Sequence, residues 1–477
     1  MKNRNIGLIG ICLFAFCSCD SWLSVSPSNE MPVEDQFGSE QGVKDALAGA
    51  YVLVKDQNLY GKALSFGYIE NMASLWDAAV ASVEESLTLH EYDKVTGAVD
   101  NLYGKMYNAI ANVNNILDHI HADNGVLLTP GMYEIIRGEC LALRAFLHFD
   151  LMRLFGPVPA DLEAGGARLP YVRVVSKEIK LPVSYDEYKD FLLKDLRDAA
   201  ALLKEYDPIV VEGSVTDEFL VRRTCRMNYY AVLGTLARVH LTLGTTDDME
   251  KAYDYAMEVI ESGKFRPIQE EHILVSGEQA KYRDILFTDE FIFGLYSAQV
   301  DAFYKSNFDE SYGVKKILIN KLSDIYGQGT RDLRQTHWFK TSWGTSYLLK
   351  HNADLEYAKE KVRMITLAEM YYIAAEAHPA EAYDLLEEIL PSREIHSSLP
   401  VNAGRTEVLT EVLKEYRKEY IGDGQFFYAY KRLIEEEAAI HPLGINIPNE
   451  NKVLVWPLPQ DEIKYGDRES GIWKTEK

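Results

Sequence analysis

The chain has 477 residues, of which 47 % are hydrophobic and 26 % are charged, so a folded protein with a sizeable core is expected. Its formal net charge is −23. Because so acidic a surface repels a phosphate backbone, the composition argues against nucleic-acid binding.

The N-terminus has the pattern of an export signal. Lys2 and Arg4 precede an apolar run, residues 6–16, that is too short to span a membrane as a helix. The run ends at Ser18-Cys19, which resembles a lipobox. We therefore predict a signal peptide over residues 1–18, lipidation of Cys19 and a polar tether over residues 19–39. An ordinary secretory signal is the alternative.

Helical periodicity dominates the mature chain, which we expect to form one domain over residues 40–477. Within residues 40–155, helices are predicted near 103–121 and over Met132–Phe155. Gly156-Pro157 ends the second helix, since proline cannot continue it. Residues 157–182 then break the pattern and contain a β-prone run, Tyr171–Val175.

Helices come in pairs in two further regions, about 185–263 and 363–437. The predicted segments are Arg226–Leu243, Asp248–Ser262, Arg363–Ala377, Pro379–Leu390, Thr406–Ile421 and Gln425–Glu437. Helix–turn–helix units of this size predict a mainly α, tetratricopeptide-like repeat scaffold, in which each unit buries its apolar face against a neighbour.

Residues 264–361 differ from the rest, with turns, aromatic residues and short strands, among them Phe291–Tyr296. Binding residues tend to lie on loops held by a rigid scaffold, so we predict that this loop-rich insert faces the ligand, together with the loops near Trp76.

Aromatic residues beside polar ones are candidates for ring stacking on a sugar or similar ligand. We favour Trp338 and Trp343, because a segment containing Gly, Ser and Thr is harder to bury in a core. For any one candidate, ordinary packing is the alternative. The full set is Trp76, Asp77, Tyr304, Tyr312, Trp338, Trp343 and Tyr347.

Catalytic and metal-binding signatures are not found in the sequence. Cys140 and Cys225 lie in segments predicted as helical and are expected to be free, buried thiols, and no Cys/His spacing indicates zinc. We therefore expect a binding protein without a cofactor or a bound metal, although 73 acidic residues leave a catalytic carboxylate pair possible.

One segment carries a specific family resemblance. Glu139-Cys140-Leu141-Ala142-Leu143-Arg144-Ala145-Phe146, continuing to Phe155-Gly156-Pro157-Val158-Pro159, resembles a helix of the SusD/RagB family. Arg226-Met227-Asn228, Ala368-Glu369-Met370-Tyr371, Arg417-Lys418-Glu419 with Gly424 and Arg432, and Trp456-Pro457-Leu458-Pro459 resemble further motifs of that family. The resemblance covers nearly the whole mature chain.

The resemblance implies a scaffold of four helical repeat pairs with an irregular ligand-facing part. It also implies a cell-surface lipoprotein, anchored in the outer membrane, that captures oligosaccharides for a SusC-like TonB-dependent barrel transporter. Two alternatives stay open, namely uptake of peptides or glycopeptides, as in RagB-type members, and a surface scaffold that binds other proteins.

Overall fold

The computed structural model describes residues 33–123, 125–157, 168–211, 213, 217–311, 313–352, 354–445 and 447–465. These residues are mostly helical, which confirms the predicted fold class. Within this part of the chain, no helix combines the length and the apolar character needed to cross a membrane.

The helices, with their bounds in chain order, are Val33–Phe37 (α1), Glu40–Val54 (α2), Tyr68–Met72 (α3), Val83–Thr88 (α4), Thr96–His119 (α5), Met132–Phe155 (α6), Tyr185–Tyr206 (α7), Glu218–Val221 (α8), Tyr229–Leu243 (α9), Thr246–Glu261 (α10), Glu270–Ile273 (α11), Val300–Phe308 (α12), Ile319–Tyr326 (α13), Leu333–Trp338 (α14), Leu367–Ala377 (α15), Ala382–Ile389 (α16), Arg405–Glu419 (α17), Gln425–Arg432 (α18), Glu437–Ile440 (α19), Asn451–Leu454 (α20) and Gln460–Tyr465 (α21).

The strands are Asp77–Ala78 (β1), Phe291–Tyr296 (β2), Lys315–Leu318 (β3), Phe339–Ser342 (β4), Thr345–Leu348 (β5) and Lys361–Thr366 (β6). Four of them form an antiparallel sheet in the order β1-β3-β5-β4, and β2 pairs with β6. All but β1 come from the predicted loop-rich insert or its C-terminal border.

The central helix α6 has the predicted bounds, Met132–Phe155. Apolar residues on several faces make it a fully enclosed helix rather than a surface one, as its nearly continuous burial shows. It ends at Gly156, which has extended backbone and is followed by Pro157.

Glu139 and Arg144, two charged residues of the family-like α6 segment, are buried and tie α6 to its neighbours. Arg144 donates two hydrogen bonds of 2.7 Å to the carboxylate of Asp195 on α7. Glu139 accepts from Arg223 at 2.5 Å and from Tyr51 Oη at 2.8 Å. These residues therefore hold the scaffold together and do not present charge to a ligand.

The α9–α10 pair forms by local capping as well as by packing. The side chain of Asn228 accepts from the Ala231 amide, so α9 begins at Tyr229, three residues after its predicted start. Gly244 ends α9 with a φ of 72°, which favours glycine, and Thr245 caps α10 by accepting from Asp248 N.

Two predictions of local structure are wrong. Residues 363–366 belong to strand β6, because they pair with β2, and the helix begins only at Leu367. The run Tyr171–Val175 is not a strand. Its backbone bonds to side chains instead, since Val172 N donates to His148 Nε2 at 3.0 Å and Val172 O accepts from Asn114. The predicted β2, Phe291–Tyr296, is confirmed.

The insert is joined to the C-terminal helices by a buried ionic cluster around Glu419, at the end of α17. The Glu419 carboxylate accepts hydrogen bonds from Arg334, Arg363 and Arg393, all fully or nearly fully buried. Burial would raise its pKa, but the three guanidinium charges outweigh burial and hold the pKa well below the usual value. The family-like segment at 417–424 therefore has a structural role.

The two predicted free thiols differ in burial. Cys140 is free and buried on α6, as expected, and burial raises the pKa of its thiol. Cys225 is also free, but it is only partly buried and lies on a short 3₁₀ turn rather than an α-helix.

Candidate ligand-binding site

Most of the candidate residues gather around the four-stranded sheet. Asp77 on β1 lies opposite Lys316 on β3, and Lys340 on β4 lies opposite Tyr347 on β5. The β3–β5 register continues these pairs into one row across the sheet. Because directly opposed residues point to the same face, these four side chains share a face. We call this row, with Trp343 at the β4–β5 turn, the hairpin face.

Trp343 is the most exposed aromatic residue that the structure describes, at 100 % of its possible surface. It lies with Gly344 between the paired residues Ser342 and Thr345, so the hairpin turns in two residues. Both central residues have positive φ, 51° and 77°, as in a type I′ turn. A bulky residue is costly there, so the strained, fully exposed indole is a candidate functional feature.

Polar groups surround the base of this hairpin. Lys340 pairs with Glu310 at 2.7 Å, and Lys321 pairs with Asp77. These side chains are all more than a third exposed, and Lys316 is exposed as well. An exposed indole can stack on a ligand, and ammonium and carboxylate groups on the same sheet can bond its hydroxyls.

Trp76 and Tyr304 lie beneath the sheet and not on its surface. They are 2 % and 6 % exposed, and both pack on Phe308, with ring centroids 4.9 and 5.9 Å away. Trp76 Nε1 donates to Glu70 at 2.9 Å, and Glu70 also accepts from the Gly422 and Gly424 amides. These rings therefore support the site and are not available for stacking in this conformation.

A buried lysine completes that support. Lys315 Nζ donates to the Phe66 and Gly67 carbonyls and to Asn307 Oδ1, at 2.9–3.2 Å. Burial lowers its pKa to about 7, and burial also raises the pKa of the nearby Glu70 to about 7, against the hydrogen bonds that lower it. Strand β3 is thus fixed from inside while Lys316 faces solvent.

The expected exposure of Trp338 is wrong. The side chain is fully buried, its Nε1 donates to Ile285 O at 2.6 Å, and the Lys350 ammonium lies 3.9 Å from its ring centroid. The polar composition of the segment did not predict this burial, because Trp338 is the last residue of helix α14 and points into the core. Trp343 lies five residues later, in a turn. Tyr347 is 8 % exposed, which also leaves little of its ring for stacking.

Tyr312 and Cys19 lie outside the described residues. Three cations of this region, Lys316, Lys321 and Lys340, were not among the predicted site residues. Side chains alternate between the two faces of a strand, so the patterns Lys315-Lys316 and Lys340-Thr341 could have indicated that Lys316 and Lys340 face outwards. Within the described ranges, no three metal-ligating side chains are grouped as a metal site requires.

Comparison with known proteins agrees with this architecture. Residues 21–241 match the family model SusD-like_3, described as "Starch-binding associating with outer membrane". A SusD-like protein, P25, from Formosa agariphila is 24 % identical over 167 residues. That match covers 33 % of this chain and 31 % of the relative, so it spans about a third of the relative's length.

Solved structures with the same fold cover far more of the chain. A SusD superfamily protein from Bacteroides thetaiotaomicron is 21 % identical, with a TM-score of 0.70 over 90 % of this chain and 98 % of its own. A SusD-like carbohydrate binding protein from Bacteroides vulgatus is 20 % identical, with a TM-score of 0.65 over 83 % of each chain. The chain therefore matches a SusD-like family model over residues 21–241, and it has the fold of these SusD superfamily structures over most of its length.

Proposed function

We propose that this protein captures oligosaccharides at the cell surface and delivers them to a SusC-like TonB-dependent transporter in the outer membrane. The observation that carries the proposal is Trp343, a fully exposed indole held at the tip of a strained two-residue turn. The description of the matching family model, which names starch, supports a glycan as the ligand.

In this proposal the Trp343 ring stacks on the C–H face of a sugar ring, because an aromatic face excludes water from such a surface. Asp77, Lys316 and Lys340 bond the sugar hydroxyls along the hairpin face. Tyr347 borders the site, and the buried Trp76 and Tyr304 position it. Tyr312 remains a predicted contact, and for Trp338 we propose a supporting role.

We further propose that the chain is held on the membrane by lipid on Cys19, with residues 19–39 as the tether and residues 40–477 as one domain. Two acyl chains or more are needed for stable anchoring, because a single chain binds only marginally. The Cys19→Ala protein should leave the membrane fraction, and retention there would contradict the anchor.

The ligand is tested by calorimetric titration of the protein begun at Asp20. Matched panels of oligosaccharides, starting with maltooligosaccharides, and of peptides should be used. We expect saturable heat with one class of glycan. Heat with peptides alone would replace the glycan proposal with the RagB-type alternative, and several soluble partners without any small ligand would favour a surface scaffold.

Trp343→Ala links that result to the site, with Tyr465→Ala as the matched control. Tyr465 is also an exposed aromatic residue, at 57 %, but it lies on α21, near the C-terminus and outside the four-stranded sheet. Only Trp343→Ala should abolish the heat, and equal loss in both variants would remove the hairpin face from the site. Co-purification of a barrel transporter with the full-length protein tests delivery independently.

A further inference from the structure

A small cavity lies between helices α6, α9, α15, α17 and α18, and it shares no lining residue with the hairpin face. Its volume is about 50 Å³, room for about three or four water molecules or for one small anion. A larger groove of about 570 Å³ adjoins it, and Leu241, Thr242 and Arg432 line both. The cavity and the groove are therefore contiguous.

The cavity is lined by an excess of cations in a chain that is otherwise strongly acidic. Arg153, Arg238, Lys431 and Arg432 line it, and Glu369 is the one carboxylate among the described lining residues.

Two further carboxylates pair with this set from outside the cavity. Arg432 is held by Glu376, and Arg153 is held by Asp150. Lys431 has no such partner in the described residues, because its ammonium donates to the Arg153 and Gly156 carbonyls, each at 2.7 Å. Within the described part of the chain, this basic side chain is thus left without a carboxylate. Burial and the nearby Arg168 and Arg153 charges lower the pKa of its ammonium well below the usual value.

Two buried donors at the cavity have no acceptor. Arg238 uses Nε and Nη2 on Glu369, both at 2.5 Å, while its Nη1 has no hydrogen-bond partner. The hydroxyl of Tyr428 is also unpartnered, and its ring lies against the Arg153 guanidinium, 3.7 Å from the centroid. Both side chains are at least 94 % buried. Leaving such donors unsatisfied costs free energy, so a missing acceptor is indicated.

We propose that this cavity binds a small oxoanion, a carboxylate or a phosphate, through Arg238 Nη1 and Tyr428 Oη. An anion with two or more oxygens has an acceptor for each donor. Its negative charge also offsets the burial and the arginine charges that lower the Lys431 pKa, which water does not do. The adjoining groove leaves room for the rest of a molecule that carries the anionic group.

Tyr428→Phe is the discriminating variant. It removes one unpartnered hydroxyl and keeps the ring on Arg153, so the fold should be unaffected. Tyr430→Phe is the matched control on the same helix, because the Tyr430 hydroxyl donates to Ile447 O at 3.3 Å and does not line the cavity.

The protein begun at Asp20 should be titrated with inorganic phosphate, acetate and glucuronate at constant ionic strength. We expect saturable binding of at least one of them, with Kd raised five-fold or more by Tyr428→Phe and unchanged by Tyr430→Phe. Phosphate alone would indicate a free or esterified phosphate, and acetate or glucuronate a carboxylic acid.

Two results would overturn the proposal. The first is the absence of saturable binding with any of the three probes. The second is binding that Tyr428→Phe does not weaken. A crystal structure determined with phosphate present is an independent test. If only water molecules were bound at Arg238 Nη1, that result would also contradict an anion site.

Discussion

Replacing Trp343 by Asn should separate ligand binding from stability. A non-glycine residue in the left-handed region costs about 1–2 kcal/mol, and Asn is among the residues that adopt it most readily. Asn-Gly is also a preferred sequence for a type I′ turn. Because the Trp343 ring is fully exposed, the variant loses no packing. We therefore expect a gain of about 1 kcal/mol in the free energy of unfolding.

The corresponding shift in melting temperature is small but measurable. The entropy of unfolding is about 2 cal/mol/K per residue, so a chain of 477 residues has about 1 kcal/mol/K in total. A gain of about 1 kcal/mol then raises Tm by about 1 °C. Ligand affinity should move the other way. Covering an aromatic side chain is worth about 1.5–3 kcal/mol, so Kd should rise at least about ten-fold.

The assay combines thermal unfolding without ligand and calorimetric titration with the glycan found in the panel. Trp343→Tyr is the control, since it keeps an aromatic ring and the strained turn, and its Kd and Tm should stay near the wild-type values. A fall in Tm of several degrees for Trp343→Asn would refute the view that the ring has no packing role. An unchanged Kd would refute its role in binding.

Three further outcomes follow from the buried residues. Trp338→Ala should lower the free energy of unfolding by about 3–5 kcal/mol, and a Tm within 1 °C of wild type would contradict its place in the core. Glu419→Gln should lower the free energy of unfolding by a similar amount, because three arginines lose a shared carboxylate. Glu91→Gln is the control, since Glu91 pairs with Lys94 at the surface and its loss should cost less than about 1 kcal/mol. Equal shifts in Tm for the two variants would contradict this prediction. Since the folded-state pKa of Glu419 is lowered, the stabilisation from its charge is present above pH 4.5 and is lost as the pH falls below that value. In thermal unfolding from pH 7 to 3, the Tm of the wild type should therefore approach the Tm of Glu419→Gln.

Local sequence patterns were sufficient to predict those helices and strands whose bounds depend on their own residues. The bounds of α6 follow from a long apolar periodicity that a Gly-Pro pair ends, and β2 follows from a short apolar, aromatic run. Residues 363–366 were assigned wrongly because their strand needs β2, which lies about 70 residues earlier in the chain, as a hydrogen-bonding partner. Tyr171–Val175 has strand-like composition but no strand to pair with.

The same limit applies to the site. Trp338 and Trp343 share one polar segment, and composition treats them alike. Only the tertiary structure separates them. Helix α14 directs Trp338 into the core beside Lys350, while strand pairing places Trp343 in a turn where its ring is fully exposed.

The helical class, the ends of the strongest helices and the segments that interrupt them can be predicted from the sequence, because they depend on the periodicity and turn chemistry of neighbouring residues. The exposure of each aromatic residue, the charges that meet around Glu419 and the unpartnered donors at the interhelical cavity became known only from the folded structure. Burial and pairing are relations between residues far apart in the chain, so no local pattern encodes them.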